Sequence, residues 1–484
     1  MTVEVAQGQE TARQIEGYLR DNKLFYGNKP REDGFSSWML SLSAFEINRN
    51  QHDQLTSSAP SLIQLYHFLS AEMIARGLAD PSSRLREVLT ASVPEETIGL
   101  WEKSLKVGLT LPFSSRPDMI IDAQGKMRII EYNVDGGADK GNTLGVNQYS
   151  QKILGINAVG EGLASLFIEG ISRRNPEADN LVVATILPDS YRTEYDAQNR
   201  YFAAFANELG RTQGLEWIAV KLSEIEIDGN GIYAYGSKRI DIVDREFKLP
   251  GFTNSADFVK ELELAQVCLD GKAGLLGTLL PLSDKALLSV MFDHQYQPIL
   301  TKLLGFSEDD EFGLERLGLL RDLHTQTQLL DPNREEIFLD GRLIRLSQLF
   351  DLDTDFPLVI KKTGDTEDTT GSKGVVISTD SKPSWRQALE YALNEPLKGG
   401  HYWIVQPLIE SGKFAVEYIK NSRKMSRVAE AMIRFAPYFV MTNGDFELGN
   451  ILVTAGTDDE VRKKSLHNIH GLRDNAYLAV SLGV

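Results

Sequence analysis

Residues 116–143 read RPDMIIDAQGKMRIIEYNVDGGADKGNT, and the folding of this stretch decides what the rest of the chain is arranged around. Pro117 to Ile121 is a largely apolar run, Asp122 to Gly125 has turn composition with glycine last, and Lys126 to Val134 is a second run. This pattern predicts a β-hairpin. Side chains alternate faces along a strand, so Arg116 and Asp118 share a face, as do Glu131 and Asn133. An even-numbered loop, with Ala123 and Gln124 at its tip, sets Arg116 opposite Glu131 and Asp118 opposite Ile129. All four polar groups then gather on one face among Ile120, Met127 and Ile129. An odd loop with a bulge at Gly125 sends the two pairs to opposite faces. The sequence leaves both registers open.

Two carboxylates, an amide oxygen and a guanidinium on one face suit Mg²⁺ and phosphate. Mg²⁺ takes hard oxygen ligands, commonly one or two carboxylates completed by phosphate and water. Arginine adds a permanent charge and a planar fork that fits phosphate or carboxylate. The plainer reading is an exposed hairpin face with one cross-strand Arg–Glu pair.

The chain has 484 residues, which predicts two or three domains. It carries 68 acidic against 51 basic residues, a net charge of −17. Such a surface argues against nucleic acid and anionic membranes as partners, but a local basic pocket can still bind ATP. Cys268 is the single cysteine, so no intrachain disulfide forms, and its apolar and acidic setting predicts a buried thiol rather than a nucleophile. The first residues lack the basic segment and apolar run of a secretory signal, and no stretch has the length of a membrane span. A cytoplasmic protein is expected.

Residues 1–110 read as a helical N-terminal region. The hairpin follows, and after it GADKGNTLGVNQYSQKIL opens on a glycine-rich turn and continues as a helix. LVVATILP, YFAAFANELG and LEWIAVKL then alternate as strand, helix and strand, which predicts a βαβ unit with a parallel sheet within 111–280. From 281 to 484 the texture changes. PLSDKALLSVMF starts a helix with Ser283 and Asp284 as cap candidates and Lys285 in its first turn. DFPLVIKKTGDTEDTTGSKGVVIS is strand, loop, strand, and YWIVQPLIESG is a further strand. Antiparallel strands follow, and LRDNAYLAVSLG is expected to close the chain as a short helix.

The loop after Ile360 carries the second set of candidate residues. Glycine lets backbone N–H groups approach a phosphate, a use that Gly371, Ser372, Lys373 and Gly374 fit. The stretch is not a Walker A loop, because GSKG leads into a β-rich run rather than a helix. Lys361, at the end of the preceding strand, is placed to reach a phosphate. A plain hairpin with a long polar tip is the alternative.

Taken in order, R-P-D, E-Y-N-V-D, S-D-K-A-L-L, V-I-K-K with T-G-S-K-G-V, and I-V-Q-P-L resemble the glutathionylspermidine synthetases and, more loosely, the eukaryotic-type glutathione synthetases. EYNVD is close to that family's E-Y-N-A-D, SDKALL to its S-N-K-A-L-L, and KRIDIVDREF to its I-D-x-V-x-x-R-F strand. The resemblance spans about residues 110–410. It departs at Lys361-Lys362 and the long acidic loop, where the family has Lys-Pro and a compact loop, and over the last 70 residues.

The resemblance implies an α/β (α+β) ATP-grasp fold with a helical N-terminal region, an inserted βαβ substrate-binding domain and a lid at about 350–411. It implies ATP and Mg²⁺ as cofactors, and a ligase that joins a small-molecule carboxylic acid to an amine through an acyl phosphate. Asp118, Glu131 and Asn133 would hold Mg²⁺, and Arg116 would sit over the transferring phosphoryl. Lys285 and Lys361 would contact phosphates under the Gly371–Gly374 backbone. Gln406 to Leu408 would border the adenine, and Glu410 the ribose. Arg434, a cation in the apolar strand AMIRFAPYF, would bind a substrate carboxylate or pair with a structural Asp or Glu. The amine and acid are amino-acid-, peptide- or polyamine-like, and a homodimer stays open. The rival readings are a nucleotide-binding sensor without ligase activity, a phosphotransferase, and a metal hydrolase built on His467 and His470. A dinucleotide fold at Gly136-Gly137 lacks the G-x-G-x-x-G pattern.

Overall fold

The computed structural model describes residues 2–24, 39–135, 139–189, 193–246, 256–306, 311–351, 356–364, 374–379, 382–420, 424–456, 475–478 and 480–483. Its centre is a seven-stranded sheet. In spatial order the strands are Phe414–Lys420, Met39–Ser41, Asn475–Leu478, Phe446–Gly456, Lys424–Met441, Ser114–Ile121 and Met127–Val134. The last two are the expected hairpin, and they lie at the sheet edge beside the long strand Lys424–Met441, with Arg434 paired to Ile120.

The N-terminal region contains the helices Thr2–Asp21, Ala59–Ala79, Arg84–Thr90 and Glu95–Lys106. It also gives two short strands to the rest of the molecule. Met39–Ser41 and Phe45–Ile47 pair in parallel with Asn475–Leu478 and Val480–Leu482. The closing segment is therefore strand where the sequence predicts a helix. Asn475–Leu478 also pairs with Val453–Gly456, so it fills a gap between two existing strands. Ladder partners on both sides outweigh a weak local helical preference.

A second sheet is parallel, with strands in the order Gly274–Leu275, Ile242–Arg245, Leu181–Leu187, Leu215–Lys221. The chain runs outward from Leu181–Leu187 in both directions, so the strand order reverses between it and Ile242–Arg245. In open α/β sheets the crevice at the carboxyl ends of the strands at such a point receives ligands. The helices Leu163–Arg174 and Thr193–Gly210 pack here through Phe167, Phe202 and Trp217, whose rings meet edge-on or tilted at 5.3–5.9 Å.

A third sheet is antiparallel: Gln328–Leu330, Trp403–Pro407, Leu358–Lys362 and Val375–Ile377. With the helix Lys382–Asn394 it encloses a separate apolar core that includes Leu358, Ile360, Trp385, Leu389, Trp403 and Val405. Among the described residues no helix is long and apolar enough to cross a membrane.

The hairpin resolves its register in a way the sequence does not announce. Ile121 pairs with Met127, Asp122 N donates to Lys126 O, and Gly125 has φ +81°, so the tip is the odd, three-residue loop 123–125. That loop alone would split the polar pairs between faces. A second irregularity lies between Asp118 and Met119: Met119 pairs with Ile129 but Asp118 pairs with Glu131. Ile130 is the extra residue of a bulge, and it restores the common face. Arg116 is opposite Asn133, and Asp118 is opposite Glu131.

Candidate functional site

The hairpin face gathers Arg116, Asp118, Glu131 and Asn133, and other segments bring cations to it. Arg434, on the adjacent strand, places Nη1 3.0 Å from Asp118 Oδ2, with both side chains buried. Lys361 Nζ lies 3.9 Å and Lys285 Nζ 4.0 Å from Glu131 Oε2. Lys361 also donates to the carbonyl of Ile130 at 3.3 Å. The bulge thus aligns the side chains and also supplies a main-chain acceptor to the buried lysine. Burial pulls the Lys361 ammonium down to about 8; Glu131 and Asp118 resist this, and the charge of Lys285 adds to it. Lys362 points elsewhere, to Glu395 at 2.8 Å, as strand alternation requires.

Arg116 donates from Nη1 to Asp139 Oδ2 at 3.0 Å and to the Tyr438 hydroxyl at 3.2 Å. Its buried Nε has no hydrogen-bond partner. Asn133 Nδ2 donates to the Arg116 carbonyl at 3.4 Å. Four cations therefore stand around three carboxylates, a locally basic cluster in an acidic protein. This is a setting for a polyanion such as a triphosphate.

Several residues hold this face in place. Ser283 Oγ accepts from Val134 N at 3.0 Å, at the end of the hairpin. Asp284 Oδ1 caps the helix Lys285–Phe292 through Ala286 N at 2.8 Å and accepts Gly364 N at 3.0 Å. Two consecutive residues thus fix Lys285 against both the hairpin and the segment after Lys361. Asp135, the last residue of EYNVD, is structural: its carboxylate accepts the N–H groups of Phe113, Ser114 and Thr278, each at 2.9 Å. Gly277, at φ +93°, makes room for it, because a β-carbon there would lie 1.8 Å from Asp135 Oδ2. Behind the hairpin Tyr132 stacks on Tyr66 at 4.4 Å. Burial pulls the His324 imidazole down to about 4, so it is neutral near pH 7; it donates from Nδ1 to Leu320 O and accepts the Tyr132 hydroxyl at Nε2.

The donor set fits Mg²⁺ in the phosphate-bound manner. Glu131 and Asn133 are only half-buried, whereas Asp118 is tied to Arg434. Among the described residues no three His, Cys, Asp or Glu side chains form a metal cluster. A cation here would need phosphate oxygens to complete its shell, as Mg²⁺ commonly does.

The other expected residues are distributed unevenly. Gly371, Ser372 and Lys373 lie outside the described residues, as do His467, His470, Gly136 and Gly137. Gly374 accepts Lys362 N through its carbonyl at 2.9 Å. Gln406 is fully buried and donates to Thr327 Oγ1 at 2.9 Å, and Leu408 N donates to Pro357 O at 2.8 Å. Glu410 is exposed, and its carbonyl accepts Ala123 N at the hairpin tip. Cys268 is buried with its thiol pushed up to about 12 by burial. Sequence reasoning missed Asp139 and Tyr438 as partners of Arg116, and Asp284 as a tie to Gly364. Asp139 lies two residues beyond Gly136-Gly137 in the sequence, a signal that was available; Tyr438 looks like any other aromatic of a buried strand.

No protein-family model matches the sequence, and no curated protein matches it. Among solved structures, the chain is similar to a glutathione synthetase-like effector from Globodera pallida in its apo form. The TM-score is 0.59 at 12% identity, over 98% of this chain and 96% of that one. A D-alanyl-alanine synthetase A from Vibrio cholerae aligns over 57% of this chain and 89% of its own, at 10% identity and a TM-score of 0.27, too low to carry weight. The fold is therefore of the glutathione synthetase-like ATP-grasp type, mixed α/β with several sheets and helices. At 12% identity the likeness defines the fold and leaves the chemistry to the site.

Proposed function

We propose that the protein is an ATP-dependent carboxylate–amine ligase that forms an amide bond on a small molecule through an acyl phosphate. One observation carries this reading: the Ile130 bulge sets Arg116, Asp118, Glu131 and Asn133 on one face, within reach of Lys285 and Lys361. Lys285 and Lys361 bind the phosphates of ATP, and Arg116 lies over the phosphoryl in transfer. Glu131, Asn133 and Asp118 would hold Mg²⁺, which when bound neutralises phosphate charge. A carboxylate oxygen of the acid attacks the γ-phosphorus and ADP leaves. The amine then attacks the carbonyl carbon, and inorganic phosphate departs with the bridging oxygen. Positioning and charge neutralisation carry this chemistry, so it needs neither a Ser–His pair nor a reactive cysteine. The acid and amine, of amino-acid, peptide or polyamine type, occupy the crevice of the parallel sheet.

A nucleotide-binding protein without ligase activity is the second reading. It is favoured by the Asp118–Arg434 pair, which engages one of the two carboxylates. Turnover separates the two. The protein is incubated with ATP, Mg²⁺, hydroxylamine and a panel of amino acids and short peptides carrying oxygen-18 in the carboxylate. A ligase yields a hydroxamate, ADP and labelled phosphate. AMP with pyrophosphate would overturn the acyl-phosphate route, and nucleotide binding without ADP formation from any acid would select the second reading.

A further inference from the structure

The crevice where the strand order reverses holds a buried ion network that the phosphate cluster does not use. Lys140 is 2% exposed, with Nζ 2.5 Å from Asp244 Oδ2 and 2.8 Å from Glu246 Oε1. Asp244 and Glu246 lie at the carboxyl end of the strand Ile242–Arg245 and just beyond it. Asp244 also accepts Thr185 Oγ1 at 2.7 Å, and Thr185 accepts Trp217 Nε1 at 2.8 Å. The rings of Phe167 and Phe202 flank the ammonium, their centroids 5.5 and 5.7 Å from it. A buried charge without its counter-ions is costly, so the network holds Lys140 at one place on the parallel sheet.

Lys140 begins the helix Lys140–Leu154, and the residue before it is Asp139, the carboxylate partner of Arg116. The same turn is fixed from two further sides. Thr143 returns both its N–H and its hydroxyl to the Asp139 carbonyl, at 2.8 and 2.7 Å. A β-carbon on Gly141 would lie 2.0 Å from the Gln198 carbonyl, so the helix backbone presses directly on Thr193–Gly210. The aim of Asp139 is thereby set by contacts to the parallel-sheet unit, while Arg116 belongs to the central sheet.

We infer that Lys140 is a positioning residue: anchored by Asp244 and Glu246 in the crevice, it fixes the helix turn through which Asp139 orients Arg116. Placement of the guanidinium on the phosphate face is thereby coupled to the crevice. This rests on the proposed role of Arg116 in phosphoryl transfer.

The test uses the full chain with Lys140→Met, and a neutralised network, Lys140→Met with Asp244→Asn and Glu246→Gln, that leaves no unpaired buried charge. In the neutralised variant ATP affinity is retained while kcat for ADP formation falls on the order of 100-fold, the scale of a displaced catalytic group. In an Arg116→Met background the same changes cost almost nothing more, because both act through one group. Equal losses in both backgrounds would overturn the inference. Arginine side-chain NMR gives a readout independent of turnover. The Arg116 Nε–H signal, assigned by its loss in Arg116→Met, moves in the neutralised variant as it does in Asp139→Asn. A signal that stays in place overturns the positioning role. A signal that moves in a protein whose wild type forms no ADP keeps the positioning and overturns the ligase reading instead.

Discussion

Lys361 and Lys362 are neighbours in the chain with opposite uses, because the strand that carries them alternates its faces. Lys362 is held by Glu395, while Lys361 is buried beside Glu131 with its ammonium pulled down to about 8. Phosphate binding needs the charged form, so affinity for a non-hydrolysable ATP analogue should hold steady below pH 8. Above it, affinity should fall about tenfold per unit as the proton is lost. Lys361→Met should remove this step and cost roughly 2 kcal/mol of binding, typical of a hydrogen bond to a charged group. Calorimetry from pH 7 to 9.5 reads both, and a flat profile in the wild type would exclude Lys361 from the phosphates. Arg434 is the other decisive residue. Arg434→Met leaves Asp118 buried without that partner and should lower unfolding stability by about 3 kcal/mol, with partial recovery on adding Asp118→Asn. In turnover, a raised KM for the acid alone would mark Arg434 as a substrate ligand, and a raised Mg²⁺ requirement would mark it as the anchor of Asp118.

At the level of elements, much of the hairpin was legible and its decisive detail was not. Apolar runs, the turn residues and the glycine at 125 define two strands and a tip from sequence alone. The bulge at Ile130 leaves no local mark: it has no glycine, and it is stabilised by partners distant in sequence. Thr325 N donates to Ile129 O, and Lys361 Nζ donates to Ile130 O. The helix at Lys285 was legible for a local reason, its Ser-Asp cap, whereas the link from Asp284 to Gly364 spans 80 residues and was not. The closing strands were missed because only their neighbours in the sheet define them. The bulged register makes Glu131 and Asn133 half-buried members of the polar face. Glu131→Ala with Asn133→Ala should therefore abolish Mg²⁺-dependent ADP formation with little change in unfolding midpoint. Retained activity would remove both from the metal assignment.

At the level of the whole molecule, the candidate site lies where the central sheet meets the small antiparallel sheet and the parallel-sheet unit, and each contributes. The central sheet supplies Arg116, Asp118, Glu131, Asn133 and Arg434. The small sheet supplies Lys361, and the parallel-sheet unit reaches Arg116 through the turn at Asp139 and Lys140. Order along the sequence could suggest this convergence but could not set its distances. The parallel-sheet unit also carries an energetic cost away from the site. Glu261, on the helix Ala256–Leu269, is buried with its carboxyl pushed up to about 8 by burial and by Asp257. A folded-state value above the unfolded one favours folding below about pH 4.5 and loses that contribution as pH rises toward 8. Glu261→Gln should therefore stabilise the protein by roughly 4 kcal/mol at pH 8 and by almost nothing at pH 4, read from denaturant midpoints. Whether the bulged hairpin presents an ATP-phosphate site is decided by a crystal structure of the full chain with Mg²⁺ and a non-hydrolysable ATP analogue. The triphosphate should lie within hydrogen-bond reach of Lys285 and Lys361, with the cation on Glu131 and Asn133. A nucleotide bound elsewhere, such as the cavity of about 420 Å³ lined by Arg239, Cys268 and Lys272, would contradict it.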